Sequence, residues 1–207
     1  MKRVIQVVLV LAIIFLGYAL YQSIMNPIEF KEKRTERYQA AIERLKDIRK
    51  AEQAYKDVYG SFTGSFDTLI TFVQNDSLPI VKAVGSIPNP DEMTEKEALA
   101  KGLISRDTIY IRARDSLFNS GFNAAQMRFV PFTNKQDTFQ LEADKIKTES
   151  GVEVNVCEAK VHNDVLLKGL DRQLVINMND EAERLNRYPG VKVGDINEPN
   201  NFAGNWE

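Results

Sequence analysis

The sequence predicts an α+β fold in which an N-terminal transmembrane helix continues into a long amphipathic helix packed on a small antiparallel β-sheet. Three observations carry this. An uncharged apolar run opens the chain over Val4–Ile24, one helical stripe follows between Phe30 and Tyr59, and period-two alternation begins only afterwards. A long helix first, strands later and no regular alternation of the two argue against a parallel nucleotide-binding sheet. The organisation that follows is a cytoplasmic N-region at 1–3, a transmembrane anchor at 4–25, an amphipathic stalk helix at 26–60 and an α+β globular domain at 61–207.

The anchor follows from length and composition. Val7 to Leu16 is unbroken hydrocarbon, and the uncharged segment is about 21 residues, which at roughly 1.5 Å per residue spans about 30 Å of bilayer core. Tyr18 and Tyr21 fall toward its far end, where amphipathic rings favour the headgroup region, and Asn26-Pro27 predicts a break in the helix. A cleavable signal peptide is the competing reading, with Lys2-Arg3 as its basic start and Gly17-Tyr18-Ala19 as a cleavage site. The apolar run continues through Leu20, Tyr21, Ile24 and Met25, beyond a typical signal core, which favours an uncleaved anchor. Lys31, Lys33, Arg34 and Arg37 outnumber Lys2 and Arg3, so counting basic flanks alone would keep the domain in the cytoplasm. The Lys-Arg start directly abutting the apolar run, which is how Sec-dependent segments begin, points the other way, to N-in, C-out.

In the stalk, Tyr38, Ala41, Ile42, Leu45, Ile48, Ala51, Tyr55 and Val58 recur at steps of three or four, with charges opposite. Pro and Gly are absent from Ile28 to Tyr59, and Gly60 stands where a C-cap glycine belongs. The stripe extends over too few heptads for a free coiled coil to be the first choice, so it is expected to pack on the chain's own sheet.

Beyond Gly60, Ser65 to Val73 reads as a short capped helix with Leu69, Phe72 and Val73 inward, and Thr94-Glu95-Lys96-Glu97 as a capping box before Ala98-Leu99-Ala100, closed by Gly102. Alternation predicts strands over 108–114, 138–143 and 152–159, with one wet face each. Shorter candidates lie at 127–130, 165–167 and 174–176. No internal repeat or low-complexity stretch is visible.

Composition removes most familiar chemistries. One Cys allows no intramolecular disulfide and no Cys-rich zinc site, and one His allows no imidazole cluster. Cys157 and His162, five residues apart, are the only nucleophile and base to weigh. Alternation puts Val152, Val154 and Val156 on one face and Cys157 with Glu153 on the other, as a small half-buried thiol, and His162 beside Asn163-Asp164 reads as a turn residue. Gly60 to Gly64 lacks the preceding strand and Lys-Ser/Thr ending of a phosphate loop and reads as a turn. Asp195 to Asn201 offers oxygen ligands without EF-hand spacing and reads as a solvated loop. Residues 1–60 carry a balance of +4 and the remainder −6, but signs interleave along the stalk, so no nucleic-acid footprint is expected. No catalytic, cofactor-binding or metal-ligating residues are assigned, and no cofactor is expected.

Arg44 to Tyr55, followed by Val58-Tyr59-Gly60-Ser61-Phe62, resembles the passage by which type IV pilins and type II secretion pseudopilins leave their long helix. Ala203-Gly204-Asn205-Trp206 is similar to the C-terminal ending of major pseudopilins, whose neighbouring loop binds calcium. The resemblance covers roughly the first 70 residues and the last few. It implies a membrane helix running into an amphipathic helix and a small antiparallel sheet, in a structural subunit of an envelope assembly, and it decides the orientation for N-in, C-out: a single pass through the inner (cytoplasmic) membrane, with the domain on the periplasmic or extracellular side. The chain departs from the family in lacking the Gly-Phe processing site and any acidic residue before Glu29, so the helix Glu that sets filament register is missing.

The expectation is therefore a membrane-anchored, non-enzymatic pilin- or pseudopilin-like structural subunit of a secretion, adhesion or surface-filament assembly. Its partners are the lipid bilayer through residues 4–25, and other envelope proteins or further copies of itself through the stalk. A second reading is an extracytoplasmic binding module, anchored or secreted, with its site in the loops from Gly121 to Thr133. A third is a membrane-tethered hydrolase using paired carboxylates, since Asp and Glu are plentiful.

Overall fold

The computed structural model describes residues 1–85, 94, 97, 99, 101, 103–119, 121–148 and 151–207. Helix α1 runs unbroken over Lys2–Tyr59 and ends at Gly60, whose φ of 78° lets its N–H turn back to Lys56 O. Pro27 lies inside it. The expected break at Asn26-Pro27 does not occur: the helix continues through the proline, which forfeits one intrahelical hydrogen bond.

The stalk stripe is buried as Ala41, Ile42, Leu45, Ile48, Ala51 and Ala54, with Tyr38 and Tyr55 half-buried at its ends, whereas Val58 is exposed. It packs across the sheet β3-β4-β5, formed by Gln140–Lys147, Glu153–His162 and Gly190–Gly194, all antiparallel. Register aligns Leu141 and Val193 with Ala159, Ala143 with Cys157, and Val191 with Val161. One face of the sheet thus carries Leu141, Ala143, Cys157, Ala159, Val161, Val191 and Val193, and the helix covers this apolar part of it. Gly190 and Gly194 sit where a Cβ would strike the backbone carbonyls of Val161 and Cys157, so β5 lies close against β4.

Helix α2 (Phe66–Asn75) buries Phe66, Leu69, Phe72 and Val73 against the upper stalk. Ser65 holds the N-cap position without a side-chain cap, its N–H bonding instead to Thr63 Oγ1 at 3.2 Å. Strands β1 (Ser77–Gly85) and β2 (Ile104–Arg112) form a separate two-stranded sheet, from which α3 (Ala113–Leu117) returns to the core through the fully buried Ala113. Thr94 and Glu97 exchange the two bonds of a capping box, Thr94 N to Glu97 Oε2 at 3.0 Å and Glu97 N to Thr94 Oγ1 at 3.4 Å. Ala98, Ala100 and the Gly102 closure lie outside the described residues.

Several expected strands differ. Residues 113–114 turn into α3, and of 127–130 only Phe129 bridges, to Thr138, after a single 3-10 turn at Ala124–Gln126. Val165 and Leu166 belong to α4 (Asn163–Leu166), begun by His162 Nδ1 accepting Asp164 N, with Leu167 as its C-cap. Leu174 to Ile176 lies in α5 (Arg172–Arg184), where Asp171 accepts the N–H groups of Gln173 and Leu174. That cap overrides the β-preference of the Val-Ile pair. The second face of β4 is not wet either, since Val156 and Glu158 are both buried.

Candidate functional site

From Val4 to Ile24 every side chain of α1 is exposed, and this part of the helix is long and apolar enough to cross a membrane. Contact with the domain starts abruptly beyond it. Phe30 packs on the core, Arg34 Nη1 lies 3.6 Å from Met178 Sδ, and Arg37 Nη1 donates to Leu166 O at 3.0 Å and Lys168 O at 2.9 Å. The arginine thereby satisfies carbonyls at the end of α4.

One turn on, Tyr38 donates to Asn163 Oδ1, Asn163 Nδ2 donates to Asn179 Oδ1 at 2.9 Å, and Asn179 Nδ2 to Asp164 Oδ1 at 3.2 Å. Burial pushes the Tyr38 phenol up, while Arg172, bonded at 2.7 Å, holds Asp164 below the usual carboxylate range. This chain of neutral amides fixes α4 and α5 to the stalk.

The far end of the stalk holds a buried carboxyl. Glu52 is 0% exposed; its Oε2 accepts Thr63 N at 3.0 Å and its Oε1 has no partner. Burial pushes its pKa up to about 8, the Thr63 bond opposing only in part. Asn155 Nδ2 donates to Gly60 O at 2.9 Å, so the turn from Gly60 to Gly64 is held to both the helix and β4. Arg49 binds the C-terminal segment through Phe202 O at 3.4 Å and Glu207 Oε1 at 2.6 Å.

Cys157 is fully buried rather than half-buried, because its face of β4 lies under α1. Burial first, then the negative charges of Glu52 and Glu158, push its thiol far up, away from the thiolate that nucleophilic attack needs. His162 lies on the other face of the strand, roughly 16 Å along the chain, and caps α4. The two do not form a dyad. Asp195 is held by Lys192 Nζ at 2.6 Å and accepts Asn197 N at 2.9 Å. Burial acts to raise its pKa, and those donors outweigh it and lower it. Among the described residues no group of three or more His, Cys, Asp or Glu side chains gathers where it could hold a metal ion.

Two concavities bear on binding. The loops from Gly121 to Thr133 send Ala124, Met127, Val130 and Thr133 into the core, leaving a shallow polar depression beside Glu43, Arg44 and Asp47. Phe118 and Phe122 stack at 3.8 Å with Lys50 over the Phe118 ring. The better-formed cavity, about 500 Å³, lies elsewhere, between the end of α1, the start of β4 and residues 195–202. Phe62 and Phe202 floor it at a centroid separation of 5.3 Å, Lys56 covers Phe62, and Asp57 and Glu198 stand on the rim. Sequence reasoning did not find this groove, because its walls come from three distant segments. Glu52 was findable: it occupies the stripe position one turn after Ile48.

No protein-family model, curated protein or solved structure matches this chain.

Proposed function

We propose that this chain is a membrane-anchored, non-enzymatic structural subunit of a cell-envelope assembly, of the pilin or pseudopilin type, displaying its domain on the non-cytoplasmic side. The observation that carries the reading is α1 itself, one continuous helix exposed and apolar in its first half and packed on an antiparallel sheet in its second. The raised thiol of Cys157 and the separation of Cys157 from His162 favour a structural role over nucleophilic catalysis. The outward stalk face, with Glu43, Lys46 and Gln53 exposed, is the surface available to a neighbouring subunit.

The test has two arms. A reporter that works only outside the cytoplasm, fused after Trp206, is active, and crosslinking in membranes through the outward stalk face captures either further copies or a fixed set of envelope proteins. An inactive reporter overturns the orientation; a chain that stays monomeric and uncrosslinked overturns the assembly role.

A second reading, an extracytoplasmic binding module, is favoured by the groove floored by Phe62 and Phe202. A ligand there would protect the 195–202 segment from hydrogen exchange, whereas a subunit contact would protect the stalk.

A further inference from the structure

We propose that the groove floored by Phe62 and Phe202 takes an extended peptide segment of a partner protein, which pairs as an added strand with an open edge of β4 and carries a Lys or Arg two residues from an apolar side chain. The pairing rests on the binding-module reading of that groove and is independent of the membrane anchor.

The open edge follows from the register of the sheet. Strand β3 pairs with β4 from Glu153 to Lys160, whereas β5 reaches only Glu158 to His162. Lys192 N donates to Asn205 Oδ1 at 3.1 Å and Lys192 O accepts Asn205 N at 3.0 Å, so the backbone groups of Lys192 face away from β4. Those of its neighbours Val191 and Val193 face toward β4, and so their partners Val161 and Ala159 face β5. Alternation carries this along the strand: Asn155 and Cys157 present their N–H and C=O groups on the side of β5, and Val154 and Val156 bond to β3. Two bonds beyond the ladders agree, Asn163 N to Pro189 O on the β5 side and Thr148 N to Val152 O on the β3 side.

No strand lies beside Asn155, because the chain leaves β5 at Gly194. The Cys157 carbonyl is covered by Gly194 itself, but the Asn155 N–H, the Asn155 C=O and the Cys157 N–H have no hydrogen-bond partner among the described residues. This donor, acceptor, donor row lines the cavity of about 500 Å³ whose far wall is the 195–202 loop. An unpaired edge of this kind is a template for one more strand. The loop is held off it. Lys192 Nζ grips Asp195 at 2.6 Å, and Asn201 and Phe202 take left-handed backbone, with φ of 53° and 61°, as the chain returns to bridge Val193 through Gly204. For a phenylalanine that conformation is costly, and here it keeps the slot beside β4 open.

Side-chain chemistry selects the occupant. In antiparallel pairing, the peptide residues opposite Asn155 and Cys157 share the sheet face that α1 covers. At the groove Phe62 and Phe202 supply an apolar floor, while Asp57 and Glu198 are exposed carboxylates with no ion pair among the described residues. Lys56 is drawn over the Phe62 ring at 4.6 Å rather than to either of them. An apolar residue on the rings and a cation at the carboxylates satisfy both, and an acidic segment is repelled.

The experiment uses full-length protein in detergent micelles, the synthetic peptide acetyl-Thr-Val-Thr-Lys-Thr-amide, and amide hydrogen exchange followed residue by residue in NMR spectra. At millimolar peptide the Asn155 amide slows about tenfold or more, while Val154 and Val156, already bonded to β3, do not change. N-methylation of the peptide's lysine, whose N–H meets Asn155 C=O, abolishes the slowing; N-methylation of its central threonine, whose N–H points away from β4, leaves it. Asp57→Asn combined with Glu198→Gln weakens peptide binding about threefold or more with the fold unchanged. Slowing confined to residues 195–202 overturns the strand pairing and leaves the groove a binding site. An Asn155 amide as slow as Val154 before peptide is added shows the edge closed by the chain's own loop, and overturns the proposal. No slowing in either segment overturns the pairing and the binding-module reading together.

Discussion

The two halves of α1 have the same backbone and opposite relations to their surroundings. From Val4 to Ile24 apolar side chains cover the whole circumference and none is buried by protein; from Tyr38 to Tyr55 they form one stripe, and that stripe is the spine of the core. Total hydrophobicity therefore does not decide what covers a helix. The angular distribution does: an all-round apolar surface requires an apolar solvent, and a stripe requires a partner with one matching face. Substitutions in the two halves should accordingly act on different quantities, membrane insertion in one and domain stability in the other.

The largest effect belongs to Glu52, an ionisable group inside the packed half. Its carboxyl has a pKa of about 8 when folded and the ordinary 4.5 when unfolded, so folding takes up a proton between those values. The contribution is fully present at and below about pH 4.5 and is lost as pH rises toward 8, by up to about 5 kcal/mol in total, relaxation making the observed figure smaller. Denaturant melts of the domain over that range should lose stability with rising pH, and Glu52→Gln should flatten the slope. An unchanged slope in the variant would show that the packed half holds Glu52 no differently from water.

Next comes Leu45→Ala, which removes a fully buried side chain and should cost about 2–5 kcal/mol in a thermal or denaturant melt. Leu11→Ala, in the exposed half, should leave the domain's melt unchanged while slightly weakening retention in membranes. If both substitutions lower domain stability alike, the division of α1 into two halves fails.

Tyr38→Phe sharpens the boundary between the halves. It deletes the donor to Asn163 Oδ1 and leaves a buried amide oxygen unpaired, at a cost of about 1–2 kcal/mol. Because that network fixes α4 and α5, hydrogen exchange should accelerate in residues 163–184 more than in α2.

Features resting on local periodicity were readable from the chain alone: the apolar run, the stalk stripe, the Gly60 cap, the Thr94/Glu97 box and the inward face of Leu69, Phe72 and Val73. Features resting on long-range partners were not. Strand β1 carries Pro79 and is exposed over residues 79–82, so it shows little strand signal without β2 beside it. The Val-Ile pair of α5 reads as strand until Asp171 is seen capping it, and β5 is a short strand bounded by glycines. The groove lined by Phe202 needs the C-terminal segment folded back onto Arg49. Periodicity also reported the wrong degree of burial for Cys157, because a strand's alternation tells which residues share a face and not whether a helix lies over it.

The smallest expected effect is the one that separates packing from assembly. Lys46 follows the buried Leu45 directly but points outward, 2.8 Å from Glu43 in an exposed pair three residues away. Such pairs contribute little, so Lys46→Ala should move the melt by less than about 0.5 kcal/mol. Lys46→Glu should be nearly as mild for the isolated domain, adding like-charge repulsion with Glu43 of a few tenths of a kcal/mol. Crosslinked complexes in membranes respond differently if the outward face meets another subunit, since a reversed charge at a contact disrupts association while leaving the fold intact. Loss of crosslinked species in Lys46→Glu with an unchanged melt would place the partner on this face. Crosslinking unaffected by Lys46→Glu, together with loss on charge reversal at Asp57 or Glu198, would move the working surface to the groove at the far end of the stalk.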